Sequence, residues 1–118
     1  MRVTRGPKYY SRKTSCGSHT HDSAKEARWC GELQMRVKAG EIVDLKVQPE
    51  YEIIVNRVKV CKYVADFEYV ERRERRSGGP ILEKIVEDVK SEATRKIAVY
   101  RLKIKLMKAV HGIEVREV

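Results

Sequence analysis

Two carboxylates and an ammonium group occur where a pair of strands would bring them together. Asp66 lies in Val64-Ala65-Asp66-Phe67, and beyond a basic, turn-rich stretch comes Ile85-Val86-Glu87-Asp88-Val89-Lys90. Residues two apart on a strand project from the same face, so Asp88 and Lys90 share a side, with Val86 anchoring that side and Val89 the other. Pairing of the two strands adds Asp66 to the group. Such a set can hold a hard divalent cation, Mg²⁺ or Mn²⁺, through oxygen ligands and poise a water for in-line attack on a phosphodiester. The chemistry to expect is that of a nuclease.

A third carboxylate strengthens the set. Asp22-Ser23 opens a helical pattern in which Cys30, Leu33 and Val37 recur at helical spacing and Gly40 supplies a stop. Glu26 falls on that apolar stripe, four residues before Cys30, and a carboxylate on a buried face needs a partner. Two readings stand side by side: Ser23-x-x-Glu26 fits a capping box, and Glu26 also suits a metal or a water bound to one. Asp-x-Lys recurs at Asp44-Leu45-Lys46, so the triplet alone discriminates little. Context separates the two, because only Asp88 ends an apolar strand that follows another strand carrying an acid.

Helix glutamate, strand aspartate and acid-x-Lys, in that order, resemble the signature of the PD-(D/E)XK nuclease superfamily, with Ala65 in place of the leading proline. The runs Asp22-Ser23-Ala24-Lys25-Glu26-Ala27, Gly40-Glu41-Ile42-Val43-Asp44-Leu45 with Gln48-Pro49, Tyr63-Val64-Ala65-Asp66-Phe67 and Glu87-Asp88-Val89-Lys90 are similar to a branch of small phage and prophage proteins of that superfamily. The resemblance extends from about Lys8 to Val118. That branch is in turn similar in size and motif order to the archaeal type of Holliday junction resolvase. The resemblance implies Asp66 and Asp88 as the primary Mg²⁺ ligands, the Val89 carbonyl as a third oxygen, and Glu26 acting directly or through a water. Lys90 would orient the attacking water or offset charge on the phosphorane. Gln48 matches a residue of the phage branch and would help place water, or else is a polar group at a strand end. Glu87, on the face opposite Asp88, and Glu68, a step beyond Asp66, are weaker candidates.

The elements that must position these groups can be read coarsely. Residues 1–21 form a basic arm with Arg2, Arg5, Lys8, Arg12 and Lys13 and no acid, or else a disordered end; residues 22–118 form the nuclease domain. A helix is expected at about 23–38, strands near 42–47 and 51–56 broken at Pro49, and a longer strand over 58–70. Ser77-Gly78-Gly79-Pro80 is a turn by composition, followed by a strand at 81–90, a helix at 94–110 and a last strand at 113–117. The fold class is α/β, with a restriction-endonuclease-like core of order αβββαβ and a mixed central sheet flanked by helices. Tyr63, Phe67 and Tyr69 alternate along a strand and belong in the core.

Charge points to the partner. Twenty-six basic against seventeen acidic residues give +9 and a polyanion as the natural ligand, with branched or double-stranded DNA the expectation. The second helix places Val99, Leu102, Leu106 and Val110 as an apolar stripe for the sheet. Arg95, Lys96, Arg101, Lys103, Lys105 and Lys108 occupy the remainder with no acid between Thr94 and Val110. The DNA contacts expected are Lys8, Arg12 and Lys13 in the arm, Arg95, Lys96, Arg101, Lys105 and Lys108 on the helix, and Ser91, which with Thr94 can cap that helix beside Lys90. Tyr9 and Tyr10 could stack on unpaired bases.

Length fits one domain, and no apolar run approaches a membrane span or a leading signal, so a cytoplasmic protein of a phage or prophage host is expected. Three scattered cysteines without C-x-x-C argue against a disulfide framework or zinc ribbon. A grouping of Cys16, His19 and His21 with Cys30 as fourth ligand matches no zinc spacing. The function expected is a Mg²⁺-dependent, structure-selective endodeoxyribonuclease of the Holliday junction resolvase kind, working as a homodimer because two symmetric nicks call for two sites. The alternatives are a less selective nuclease for flaps or single strands and a basic DNA-binding protein without catalysis.

Overall fold

The computed structural model describes residues 24–118 and the backbone of residues 14–16 and 19–21. Strands β1 (Thr14–Cys16) and β2 (His19–His21) form an antiparallel ribbon. Helix α1 (Ala24–Lys38) follows, then β3 (Ile42–Val47), β4 (Glu50–Val55), β5 (Val58–Val64), β6 (Phe67–Arg73) and β7 (Ile81–Asp88). A single turn, α2 (Glu92–Arg95), precedes α3 (Ala98–Leu106), which widens into a π-helical turn over Met107–His111, and β8 (Arg116–Glu117) closes the order. The expected contacts Lys8, Arg12 and Lys13, together with Tyr9, Tyr10 and the Ser23 half of the capping box, lie outside the described residues, as do the side chains of Cys16, His19 and His21.

The main sheet has the order β3-β6-β7-β8, antiparallel except for the parallel pair β7-β8, while β4 and β5 make a separate hairpin. This is an α/β arrangement of mixed sheet and flanking helices. Alternation along the strands divides the core into two layers. Phe67, Tyr69, Ile85 and Val89 pack with Ile42 under Cys30 and Leu33 of α1. On the other face Val86 joins Ile53, Tyr63, Ala65 and Met107, with Tyr100 and Ile104 of α3 against them. Val86 and Val89 thus anchor opposite faces, as alternation requires. Truncating Leu33, which is fully buried, to alanine costs about 2–5 kcal/mol.

Three expectations are corrected by these elements. The strand expected over 58–70 is two strands in different sheets, parted at Ala65 and Asp66, where the Asp66 amide donates to Glu87 O at 3.1 Å and Ala65 N to Pro49 O at 3.1 Å. The helix expected over 94–110 is interrupted, because Ile97 is extended (φ −69°, ψ 127°). Within α3, Val99 and Leu102 of the expected stripe are exposed at 62 % and 57 %. Tyr100, Ile104 and Met107 face the core instead, while Leu106 and Val110 do pack there. The last strand pairs only at Arg116–Glu117. Pro49 does separate two strands, with Gln48 at φ 56° turning the chain out of β3.

Cys30 is disulfide-bonded, whereas Cys61 is free. This departs from the expectation drawn from the scattered cysteines, and it removes the Cys30 thiolate from any zinc set. No described helix is long and apolar enough to cross a membrane.

Candidate active site

The hairpin register that pairs Phe67 with Glu87 sets Asp66 opposite Asp88, each just beyond the last rung of the ladder. Their carboxylates interlock with the opposing backbone. Asp66 N donates to Asp88 Oδ1 at 3.1 Å, and Val89 N donates to Asp66 Oδ2 at 2.7 Å. Lys90, two residues past Asp88, brings its Nζ to 3.7 Å from Asp88 Oδ1 and 4.0 Å from Asp66 Oδ2. Asp66, Asp88 and Lys90 are therefore drawn together as the strand pattern predicts.

Neighbouring elements hold Lys90 in place. Lys90 N donates to Val118 O and Val118 N to Asp88 O, so the segment after β8 laces the end of β7. The ammonium lies 5.6 Å from the centre of the Tyr100 ring, a cation–π distance, and the Tyr100 hydroxyl donates to Glu117 Oε2 at 2.7 Å. Burial and this bond raise the Tyr100 phenol above its ordinary range. On the α1 side, Lys25 Nζ donates to Lys90 O at 3.4 Å.

Asp88 carries the electrostatic tension of the site. It is fully buried, and its Oδ2 has no hydrogen-bond partner among the described residues. Burial pushes the carboxyl up to about 6, against the pull of Lys90 and the Asp66 amide, and the charge of Glu26 adds to the rise. Glu26 is itself buried at 7 % exposure in the first turn of α1, where the helical stripe places it. A buried oxygen without a donor beside a second carboxylate and a nearby third is a donor set suited to a hard cation. Among the described residues no three of His, Cys, Asp and Glu form a ready-made cage, so the two aspartates with backbone and water oxygens are the available ligands. The set fits Mg²⁺, which ordinarily keeps several waters and takes only one or two carboxylates.

The remaining candidates divide. Gln48 is exposed at the end of β3, and its amide donates to Asp66 O at 2.8 Å, which places it beside the site through the backbone. Ser91 caps α2, accepting from Thr94 N at 3.2 Å, but that helix is a single turn and offers little dipole for a phosphate. Arg95 is half-buried, with Nη2 donating to Val118 O at 3.4 Å and Nε enclosed without a hydrogen-bond partner among the described residues, so it is committed inward rather than to a DNA surface. Lys96, Arg101, Lys105 and Lys108 are exposed, the last in an ion pair with Glu114 at 2.7 Å. Lys103 donates to Lys62 O at 3.1 Å.

A family model covers residues 6–116, and its description is "Protein of unknown function (DUF1064)". The chain belongs to the DUF1064 family. No match was found among curated proteins or among solved structures.

Two acids rated as weak in the sequence have defined places in the structure. Glu87 is fully buried on the α1 side and accepts from Trp29 Nε1 at 2.7 Å and Tyr69 OH at 2.6 Å, with Arg116 at 3.4 Å. Glu68, buried on the Asp88 side, binds the Tyr51 hydroxyl and two lysines, Lys46 and Lys84. The lysines were not legible as site residues, since only the cross-strand register unites them; the period-2 alternation from Asp66 to Glu68 was the available signal.

Proposed function

We propose that this protein is a Mg²⁺-dependent endodeoxyribonuclease with a restriction-endonuclease-like core, selective for branched DNA in the manner of a Holliday junction resolvase. The observation that carries the reading is the interlocked pair Asp66–Asp88, with a buried Asp88 oxygen that has no hydrogen-bond partner among the described residues and Lys90 within 4.0 Å of both carboxylates. Two acids held this way raise one another's cost, and a structural ion pair would not need both. Asp66 and Asp88 would hold the cation, with the Val89 carbonyl and Glu26 as further oxygen donors. When bound, Mg²⁺ supplies Lewis-acid stabilisation of the phosphate and an acidified water. Lys90 directs its ammonium to the same point, where it orients the attacking water and offsets charge building on the phosphoryl oxygens. Tyr100 keeps that ammonium over the aspartates. The +9 net charge and the exposed basic side chains of α3 supply attraction to the phosphate backbone. The branched-DNA preference rests on the motif resemblance and on the need for two sites, which a homodimer provides.

The test is cleavage of a four-way junction, a flap, a plain duplex and a single strand in Mg²⁺, beside Asp88→Asn. Junction cleavage that requires both the metal and Asp88 supports the reading. Preference for the flap or single strand replaces resolvase with a less selective nuclease. Junction binding without cleavage, unchanged in Asp88→Asn, leaves a non-catalytic DNA-binding protein.

A further inference from the structure

Further along the sheet from the aspartates, on the same face, three strands contribute to one charged cluster. Lys46 of β3 stands opposite Glu68 of β6, and Glu68 stands opposite Val86 of β7, with Lys84 the next residue of that strand on the same face. Lys46 Nζ is 3.3 Å from Glu68 Oε2 and Lys84 Nζ is 3.7 Å from Glu68 Oε1. The Tyr51 hydroxyl, reaching across from the β4-β5 hairpin, donates to Glu68 Oε1. Lys84 also lies 5.9 Å from the centre of the Tyr51 ring.

The surroundings of Glu68 favour its charged form. The Glu68 side chain is only 10 % exposed, while those of Lys46 and Lys84 are 64 % and 51 % exposed. Burial disfavours the carboxylate, but the Tyr51 hydroxyl and the two lysines outweigh it and hold Glu68 below the ordinary carboxylate range, so it stands charged between the two ammonium groups. What the carboxylate does accomplish is to fix two long side chains, from two different strands, so that both ammonium groups stand at one solvent-facing point with net charge +1 and spare donors. Ordering them in advance lowers the entropy lost when an anion arrives.

The spacing indicates the anion. Glu68 and Lys46 lie two residues of strand, about 6.8 Å, from the level of the aspartates and Lys84 lies four residues from Asp88, and the nearer step is one over which a phosphodiester chain presents its next phosphate. Resting on the nuclease reading above, we propose that Lys46 and Lys84, held by Glu68, bind the backbone phosphate adjacent to the one placed at Asp66 and Asp88. The cluster sets the register of the strand, so that the bond to be cut and not its neighbour lies over Lys90. Glu68 acts through the two lysines and is a positioning residue.

Binding to a fluorescent four-way junction in chelator separates this idea from catalysis. Lys46→Ala/Lys84→Ala should bind about tenfold more weakly than wild type, with the log–log salt slope reduced by about one to two units. The charge-matched control Lys59→Ala/Lys62→Ala, which removes two exposed lysines paired with Glu52 and Glu50 on the hairpin, should lose about threefold or less. Glu68→Gln removes a negative charge yet should weaken binding, because the lysines lose their anchor. Neutral methylphosphonates placed one at a time should reveal one phosphate whose replacement weakens wild type but not the double variant. In Mg²⁺ that phosphate should neighbour the scissile one. Losses equal to the control, tighter binding by Glu68→Gln, or methylphosphonate effects identical in wild type and double variant would overturn the subsite. Absence of cleavage by wild type, with the binding pattern intact, would instead remove the nuclease reading and leave the phosphate subsite standing.

Discussion

Glu87 and Asp88 are consecutive, equally buried and oppositely treated. Glu87 points toward α1, where Trp29 and Tyr69 donate to its two oxygens and Arg116 neutralises it. Asp88 points to the other face, where one oxygen takes the Asp66 amide and the other takes nothing among the described residues. A buried carboxylate supplied with donors behaves as a fastener between elements, whereas one denied a donor stores free energy that a ligand can release. The two faces of β7 thus differ, Glu87 being supplied with donors on the α1 side while Asp88 on the other keeps an oxygen without a hydrogen-bond partner among the described residues.

The largest expected effect lies on the Asp88 face. Asp88→Asn and Asp66→Asn should each reduce junction cleavage by about a thousandfold or more, since an amide keeps the shape but loses the charge that holds a divalent ion. Full activity in either variant, or in excess chelator, would collapse the contrast between the faces. Next in size, Lys90→Ala should slow single-turnover cleavage by roughly 10²–10³ while junction affinity shifts by less than about threefold, as one ammonium among many carries little of the binding. If rate and affinity fall together, Lys90 is an anchor for DNA.

The stored free energy has a pH signature. The Asp88 carboxyl sits at about 6 in the folded chain against an ordinary 3.8, so the folded state binds the proton more tightly. Its contribution to stability is fully present below about 3.8 and is lost as pH rises through 6. By pH 8 wild type should be less stable than Asp88→Asn by on the order of 2–3 kcal/mol in metal-free denaturant unfolding, the gap closing at pH 4. A gap independent of pH would mean that Asp88 is not the strained group. Glu87→Gln should do the reverse, lowering stability by about 1–3 kcal/mol at neutral pH through weakened bonds to Trp29 and Tyr69. Its cleavage per folded molecule should stay near that of wild type. The smallest effect sharpens the outer edge of the binding face: Arg101→Glu/Lys105→Glu should weaken binding to every DNA form by roughly tenfold and flatten the salt slope, with no preference among junction, flap and duplex.

The site was legible where local rules decide it. Strand periodicity placed Asp88 with Lys90, hairpin pairing brought Asp66, and helical spacing put Glu26 on the buried face of α1. Pro49 marked the end of a strand. What escaped was set by tertiary contact. No glycine or proline announces the break between β5 and β6; the chain parts there because the Asp66 amide is taken by Glu87 O and Asp88 Oδ1. No breaker stands at Ile97 either, and the apolar spacing of Val99 and Leu102 does not reveal that Tyr100, Ile104 and Met107 take the core side of α3. Arg95 counted as one more surface cation until its guanidinium proved to reach Val118 O. The Lys46–Glu68–Lys84 cluster depends on a register across three strands, including a shift between Val43 and Lys46 at Asp44 (φ 56°), which composition does not specify.

Trp29 is the chain's one tryptophan, and its indole nitrogen donates to the carboxylate next to Asp88. The protein therefore contains its own optical probe. Indole emission responds to the field of a nearby charge, so titrating a divalent ion or a DNA fragment into the unlabelled chain should register at a single wavelength.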